Sequence, residues 1–244
     1  MGKTLLKRAL GSLAALGLVG ALGFAAVPAQ ASERPIDITG YTVSSITVAD
    51  SSCRNVSVKA STKVKSDFVD SYGIIDVTRN GGLVDSLWMD GRKISDRAFI
   101  CPSYDGLGVY KVGPADISAE YDYWDSYFGD YFSDYSYYTD NTSKTFNVRG
   151  KTKSTLKATR SGSKVTLTAT AQVYAPEKYR YAQYNAKKAK FQVKSGKTWK
   201  TLKTVDLKKG TAKITVKQSK KKSYRLTIPT ATWAASTTTK TVAK

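Results

Sequence analysis

From Lys164 to Tyr174 the chain alternates apolar and polar side chains without a break, with Val165, Leu167, Ala169, Ala171 and Val173 on one side and Thr166, Thr168, Thr170 and Gln172 on the other. A period of two marks a strand with one buried and one wet face, because successive side chains of extended chain point to opposite sides. Similar short apolar or alternating runs recur at residues 46–48, 56–60, 73–79, 83–89, 107–112, 144–149, 154–159, 190–194, 198–207, 212–217, 224–228 and 237–243. Asn80-Gly81-Gly82 is a hairpin signal, and Ser195-Gly196-Lys197 and Lys208-Lys209-Gly210 read as turns between strands. No stretch has an apolar period of 3.6. The expected fold is therefore all-β, with any helix short, and 41% hydrophobic residues suffice for a packed core.

Charge divides the chain. Residues 32–150 hold 12 basic and 17 acidic side chains, and residues 151–244 hold 24 basic and 2 acidic. So sharp a change predicts two domains, 32–150 and 151–244, with the boundary near residues 148–153. Each is the size of a small β-sandwich. Ahead of them, Lys3, Lys7 and Arg8 precede an apolar run over residues 9–27, closed by Ala29-Gln30-Ala31. Small residues at both recognition positions predict a secretory signal peptide, residues 1–31, cleaved after Ala31. The rival reading is a membrane anchor, since 19 apolar residues nearly span a bilayer. The signal reading gives an exported, soluble chain with no membrane span after cleavage. In that oxidising setting the only two cysteines, Cys53 and Cys101, are expected to form one disulfide.

A weak internal repeat pairs residues 56–60 with 165–169, and Tyr110 with Tyr224. Trp199, the turn at Gly210, residues 224–231 from Tyr224 and the closing strand after Ser236 resemble the Ig-like modules of secreted actinobacterial, Gram-positive proteins. In the first half, Gly106, Gly108, Tyr110 and Val112 are similar to the G-x-Y-x-C stretch of Ig strand F, with Val112 standing where that family has its second core cysteine. The resemblance implies two Ig-like β-sandwich domains in tandem. It also implies that Cys53–Cys101 is not the inter-sheet bridge of that family but ties the Cys53 strand to the loop before Tyr110. Such modules act mostly as spacers, adhesion units or binding platforms.

Two segments carry candidate chemistry. Residues 121–138 contain ten aromatic side chains (Tyr121, Tyr123, Trp124, Tyr127, Phe128, Tyr131, Phe132, Tyr135, Tyr137, Tyr138) and four aspartates (Asp122, Asp125, Asp130, Asp134). On the Ig resemblance this is the F–G connection, read here as a Tyr/Asp-rich loop over residues 117–143. Tyr with Ser, Gly and Asp is paratope chemistry, which suits a protein or glycan ligand. The four aspartates could alternatively hold Ca²⁺ for assembly, although their spacing is not that of an EF-hand loop. The segment could also dock on the cationic half, or be a low-complexity loop or a pair of strands with a buried aromatic face.

In the basic half Lys outnumbers Arg by 21 to 3. That favours diffuse attraction to anionic polymers over bidentate base reading. Lys187, Lys188, Lys208, Lys209, Lys220, Lys221 and Lys222 fall in turns where they could reach such a partner. Anionic cell-wall polymers are the first candidates for an exported Gram-positive-type protein. Extracellular nucleic acid is the second, with Tyr179, Tyr181 and Tyr184 interleaved among cations. A solvated basic surface with no dedicated partner is the bland alternative. Without histidine, the chain lacks the commonest general base and metal ligand. Glu120 and Asp125 are the one carboxylate pair considered for glycosidase chemistry. The expected function is a non-enzymatic, adhesion-like binding protein held at the cell envelope, needing no cofactor. A polyanion binder and a Ca²⁺-dependent assembly module are the alternatives.

Overall fold

The computed structural model describes residues 34–92 and 94–244, so the signal peptide expected over residues 1–31 lies outside the described residues. The first half contributes β1 (Ile36–Val43), β2 (Ile46–Val48), β3 (Arg54–Val64), β4 (Phe68–Arg79), β5 (Gly82–Asp90), β6 (Ile94–Ile100), a one-turn helix α1 (Pro102–Asp105), β7 (Gly108–Asp125), β8 (Asp130–Asp140) and β9 (Lys144–Gly150). The second contributes β10 (Thr152–Ser161), β11 (Lys164–Ala175), a 3₁₀ turn (Pro176–Lys178), β12 (Arg180–Gln183), β13 (Ala189–Ser195), β14 (Thr198–Val205), β15 (Thr211–Lys217), β16 (Ser223–Ile228), β17 (Thr237–Thr238) and β18 (Val242–Ala243). The fold is all-β.

Each half is a sandwich of two sheets. In the first, β1-β3-β6 faces β2-β9-β7-β4-β5, with β8 paired to the far end of β7. In the second, β10-β11-β12 with β15 on β11 faces β14-β13-β16-β17, with β18 also on β16. The triplet β10-β11-β15 repeats β1-β3-β6, and β14-β13-β16 repeats β5-β4-β7. This is the strand order of the immunoglobulin sandwich, with β2 added parallel to β9. The weak sequence repeat has a structural counterpart: Val56 and Val165 lie on the middle strand of one sheet, Tyr110 and Tyr224 on an inner strand of the other.

The alternation dictates the packing. Val165, Leu167, Ala169, Ala171 and Val173 all point inward, against Phe191, Tyr224, Leu226 and Ile228 of the facing sheet. The first half has its own cluster, including Ile36, Val58, Ile75, Leu87, Met89, Tyr110, Phe146 and Val148. Each large apolar side chain so buried contributes about 1.5–3 kcal/mol. Asn80 and Gly81 take φ of 51° and 81°, the left-handed pair that a two-residue hairpin turn requires. The closing strand expected over residues 237–243 is interrupted. Thr239 turns its hydroxyl inward to accept the Leu226 N–H, so a side chain replaces one rung of the ladder.

Cys53 and Cys101 are bonded. They sit one residue beyond the Arg54–Ile100 pairing, so the bridge joins neighbouring strands of one sheet. Val112 is fully buried, an apolar filler within the core. Tyr110 donates its hydroxyl to the Gly106 carbonyl at 2.6 Å, the corner contact of Ig strand F.

The halves meet without a linker. β9 ends at Gly150 and β10 begins at Thr152. Gly150 donates its N–H to the Trp233 carbonyl and accepts from the Ala235 N–H. A Cβ at Gly150 would fall on the Tyr174 carbonyl oxygen, which is why glycine stands there. Ser51 completes the joint. Its hydroxyl donates to the Pro176 carbonyl at 2.8 Å and receives the Tyr174 hydroxyl at 2.9 Å.

Candidate functional site

The aromatic segment is not a loop. β7 runs on to Asp125, four residues turn, and β8 returns in unbroken antiparallel register from Asp125–Asp130 to Ala115–Asp140. Only residues 141–143 of the expected loop separate β8 from β9. Tyr, Phe and Trp favour extended chain, and every second residue meets an aromatic or hydroxyl partner across the pair. Asp125 closes the tip. Its carboxylate accepts the Tyr127 and Phe128 N–H groups at 2.8 and 3.2 Å, and Gly129 takes φ of 65°.

Strand geometry sorts the aromatics onto two faces. On the face continuous with the core lie Ile117, Ala119, Tyr121 and Tyr123 of β7, opposite Tyr138, Ser136, Asp134 and Phe132 of β8. Near the sandwich this face is covered, and the Tyr138 hydroxyl donates to the Ile36 carbonyl. Towards the tip it opens. Tyr121, Tyr123, Phe132, Phe128 and Tyr127 form a run of ring contacts with centroids 4.9–6.5 Å apart. Tyr127 is 88% exposed.

The outer face carries the rows Trp124–Tyr131, Asp122–Ser133, Glu120–Tyr135, Ser118–Tyr137 and Asp116–Thr139. Trp124 and Tyr131 meet edge to face at 5.1 Å. The Ser133 hydroxyl donates to Asp122 and that of Thr139 to Asp116. Glu120, beside Tyr135, raises the pKa of that phenol. The rows continue onto β4, where Tyr72 is opposite Ser118, Asp70 opposite Glu120 and Ile74 opposite Asp116. Trp88 of β5 lies opposite Ile74, with its ring 5.4 Å from that of Tyr72.

Tyr72, Ile74 and Trp88 thus belong to the same exposed face, although nothing in the aromatic-rich segment pointed to them. The signals for them were the alternation of β4 and the Asn80-Gly81 turn. Their nearness to the segment depends on the pairing of β4 with β7. Tyr72 and Tyr137 flank the small Ser118, and between them runs a groove of about 430 Å³ floored by the backbone of Gly73 and Ile117. Asp70, Glu120 and Tyr135 line a contiguous recess of about 160 Å³.

The aspartates considered for Ca²⁺ do not converge. Asp122 is on the outer face, while Asp125, Asp130 and Asp134 are on the other. Asp125, Asp130 and Asp134 each accept a nearby backbone N–H, and Asp122 accepts the Ser133 hydroxyl. Among the described residues no three metal-ligating side chains come together. Alternation likewise sets Glu120 and Asp125 on opposite faces of the hairpin, so they cannot flank one glycosidic bond.

The seven lysines singled out divide between the two ends of the second sandwich. Lys187 and Lys188 precede β13, and Lys208 and Lys209 follow β14; the two segments are tied by the Leu207 N–H to the Ala186 carbonyl. Lys187 is paired with Asp206 at 2.9 Å. Lys220, Lys221 and Lys222 lie at the other end, where the Gln218 and Lys222 N–H groups bond the Ser163 and Lys244 carbonyls. Of the interleaved tyrosines Tyr179 is 70% exposed, but the other two do not join it as a stacking platform. Tyr184 is core, and Tyr181 packs on Tyr174 with the Lys153 ammonium 3.7 Å above its ring.

A further basic surface was not singled out from the sequence. Across β10, β11 and β15 the outward rows read Thr155–Thr170–Thr211, Lys157–Thr168–Lys213, Thr159–Thr166–Thr215 and Ser161–Lys164–Lys217. No acidic residue stands in these rows.

No family model matches the chain. No curated protein matches it either. Solved structures similar to it include the human OSCAR ligand-binding domain (12% identity, 84% of this chain and 97% of that one, TM-score 0.28). The D00-D0 domain of intimin is similar at 16% identity, covering 84% and 98%, with TM-score 0.26. Tandem Ig domains of titin are similar at 11% identity, covering 84% and 94%, with TM-score 0.25. The fold assignment rests on the chain's own strand order and register rather than on these similarities.

Proposed function

We propose that this chain is an exported, non-enzymatic binding protein whose first sandwich recognises a ligand and whose second holds it near an anionic polymer. One observation carries the reading. A single sheet presents Tyr72, Trp88, Trp124, Tyr131, Tyr135 and Tyr137 on its outer face, each more than half exposed and ordered by cross-strand register. Large exposed aromatic patches on a rigid frame are uncommon on monomers and mark interaction surfaces. Export is supported by the Cys53–Cys101 bond together with the expected signal. No helix among the described residues is long and apolar enough to cross a membrane.

The tether reading rests on 24 cations against two acids after Gly150. The Lys/Thr rows of β10-β11-β15 have no aromatic side chain on which bases could stack, which favours a wall polymer over nucleic acid.

Co-sedimentation of the mature protein with Gram-positive cell walls, before and after teichoic acid removal, tests both parts. The expected result is binding that 0.5 M salt or teichoic acid removal largely abolishes, with a weaker residue lost in Tyr135→Ser plus Tyr137→Ser. Binding indifferent to salt would end the tether reading. Binding indifferent to the tyrosines would end the recognition reading.

A further inference from the structure

We infer that the groove between Tyr72 and Tyr137 is a glycan subsite and that its ligand is a neutral oligosaccharide. The inference rests on reading this face as the recognition surface and deepens it. Tyr72 and Tyr137 stand on β4 and β8, with β7 between them and Ser118 directly in line. Two strand spacings separate their Cα atoms by about 9.6 Å. Both rings are exposed, at 54% and 74%, and Ser118 between them carries only a hydroxyl. The result is an open groove of about 430 Å³ flanked by two exposed tyrosine side chains. A planar peptide side chain would fill it only as an isolated anchor. A pyranose fills it and continues in both directions along the rows.

The ends of the groove supply the polar half of sugar recognition. Asp116, already holding the Thr139 hydroxyl at 2.6 Å, stands one row to one side. Glu120 and Asp70 stand one row to the other. Carboxylates are acceptors only, so they pair with donors, and a sugar offers hydroxyls. Among the described residues no Lys or Arg lines either recess. Three carboxylates and no cation repel uronic, sialic or phosphorylated glycans, which leaves an uncharged chain. The two recesses meet at Tyr72 and Ser118, so the surface accommodates more than one sugar unit.

The test is titration of the full chain with neutral tetrasaccharides built on glucose, galactose, mannose and N-acetylglucosamine, read by tryptophan fluorescence and by saturation transfer to sugar protons. At least one is expected to bind with Kd below about 1 mM. Tyr72→Ala and Tyr137→Ala should each weaken it by about tenfold. Tyr137→Phe should retain most of it, because stacking needs the ring and not the hydroxyl. Ser118→Leu, which fills the groove, should abolish it. A tetra-uronate, which the lysines of the second sandwich attract, should show no binding that Ser118→Leu removes.

No saturation transfer from any neutral tetrasaccharide at about 10 mM would overturn the inference. So would binding untouched by Ser118→Leu. If wall sedimentation falls on Tyr137→Ala while no sugar binds, the face recognises a protein and only the glycan assignment is lost. If neither changes, the recognition reading falls with it.

Discussion

The two sandwiches share one strand order and use the same connection for opposite ends. In the first, the strand that starts at Gly108 and its return through β8 overshoot the sandwich as a hairpin of aromatic and acidic side chains. In the second, the corresponding strand β16 is six residues long, and the chain after it folds back onto the joint. There Trp233 gives its carbonyl to Gly150, Ala231 gives its carbonyl to the Arg149 guanidinium at 3.0 Å, and the Trp233 ring packs on Tyr184. β9 runs from the hairpin end to the joint, so the hairpin projects from the end away from the second sandwich. One connection reaches outward and the other fastens the halves. A common scaffold thus leaves the division of labour to a single connection, which is where strand ends are free to vary.

The largest effect should come from breaking one core and watching the other. Phe146→Ala in the first cluster and Phe191→Ala in the second should each cost about 3–5 kcal/mol, because each removes a buried ring and leaves a cavity. The two clusters share no residue, so urea unfolding followed by tryptophan fluorescence should show the damaged half leaving first. A single transition lowered equally by either substitution would mean that the joint makes the two halves one cooperative unit.

Next in size is the disulfide, which only the first half has. Cys53→Ser plus Cys101→Ser releases a loop of 48 residues and should cost about 3–4 kcal/mol on chain-entropy grounds. Thermal unfolding of that half should shift down while the second half keeps its midpoint.

Base should then separate the halves by their buried phenols. Burial pushes the Tyr138 phenol up to about 12, with Asp37 and Asp140 adding to it. Tyr41 and Tyr110 are raised still further, again chiefly by burial. A phenol whose folded pKa lies above its unfolded value near 10 contributes fully below pH 10, and that contribution is lost as pH rises towards the folded value. Burial raises Tyr184 and Tyr224 of the second half as well, so the first half, with three such phenols against two, should unfold before the second between about pH 10 and 12, as circular dichroism and tyrosinate absorbance would report.

What was legible in the sequence follows from what periodicity encodes. β11 could be read to within a residue because its inward side is Val, Leu and Ala and its outward side Thr and Gln. The Asn80-Gly81 turn and the Cys53–Cys101 bond were legible for local or arithmetic reasons. The hairpin was not, because both of its faces carry aromatics and acids, so alternation leaves no trace in hydropathy. The partnership of Tyr72 with Tyr137 was not, because it depends on β4 choosing β7 as a neighbour, and periodicity names no neighbour. The break at Thr239 was hidden because a threonine hydroxyl standing in for a carbonyl has no pattern at all.

The smallest predicted effect is the sharpest test of the repeat. Tyr110 and Tyr224 occupy equivalent strands, and both are fully buried. Their hydroxyls differ. That of Tyr110 is bonded to the Gly106 carbonyl, whereas that of Tyr224 is buried with no hydrogen-bond partner among the described residues. Removing a satisfied hydroxyl costs about 0.5–1.5 kcal/mol, and removing an unsatisfied one relieves a desolvation penalty. Tyr110→Phe should therefore destabilise the first half by about 1 kcal/mol, while Tyr224→Phe leaves the second unchanged or slightly firmer. Urea midpoints of the two variants would decide it. Equal losses would mean that the second half keeps a corner contact of its own, and the two sandwiches would then differ in their projecting hairpin and charge but not in how strand and corner are held.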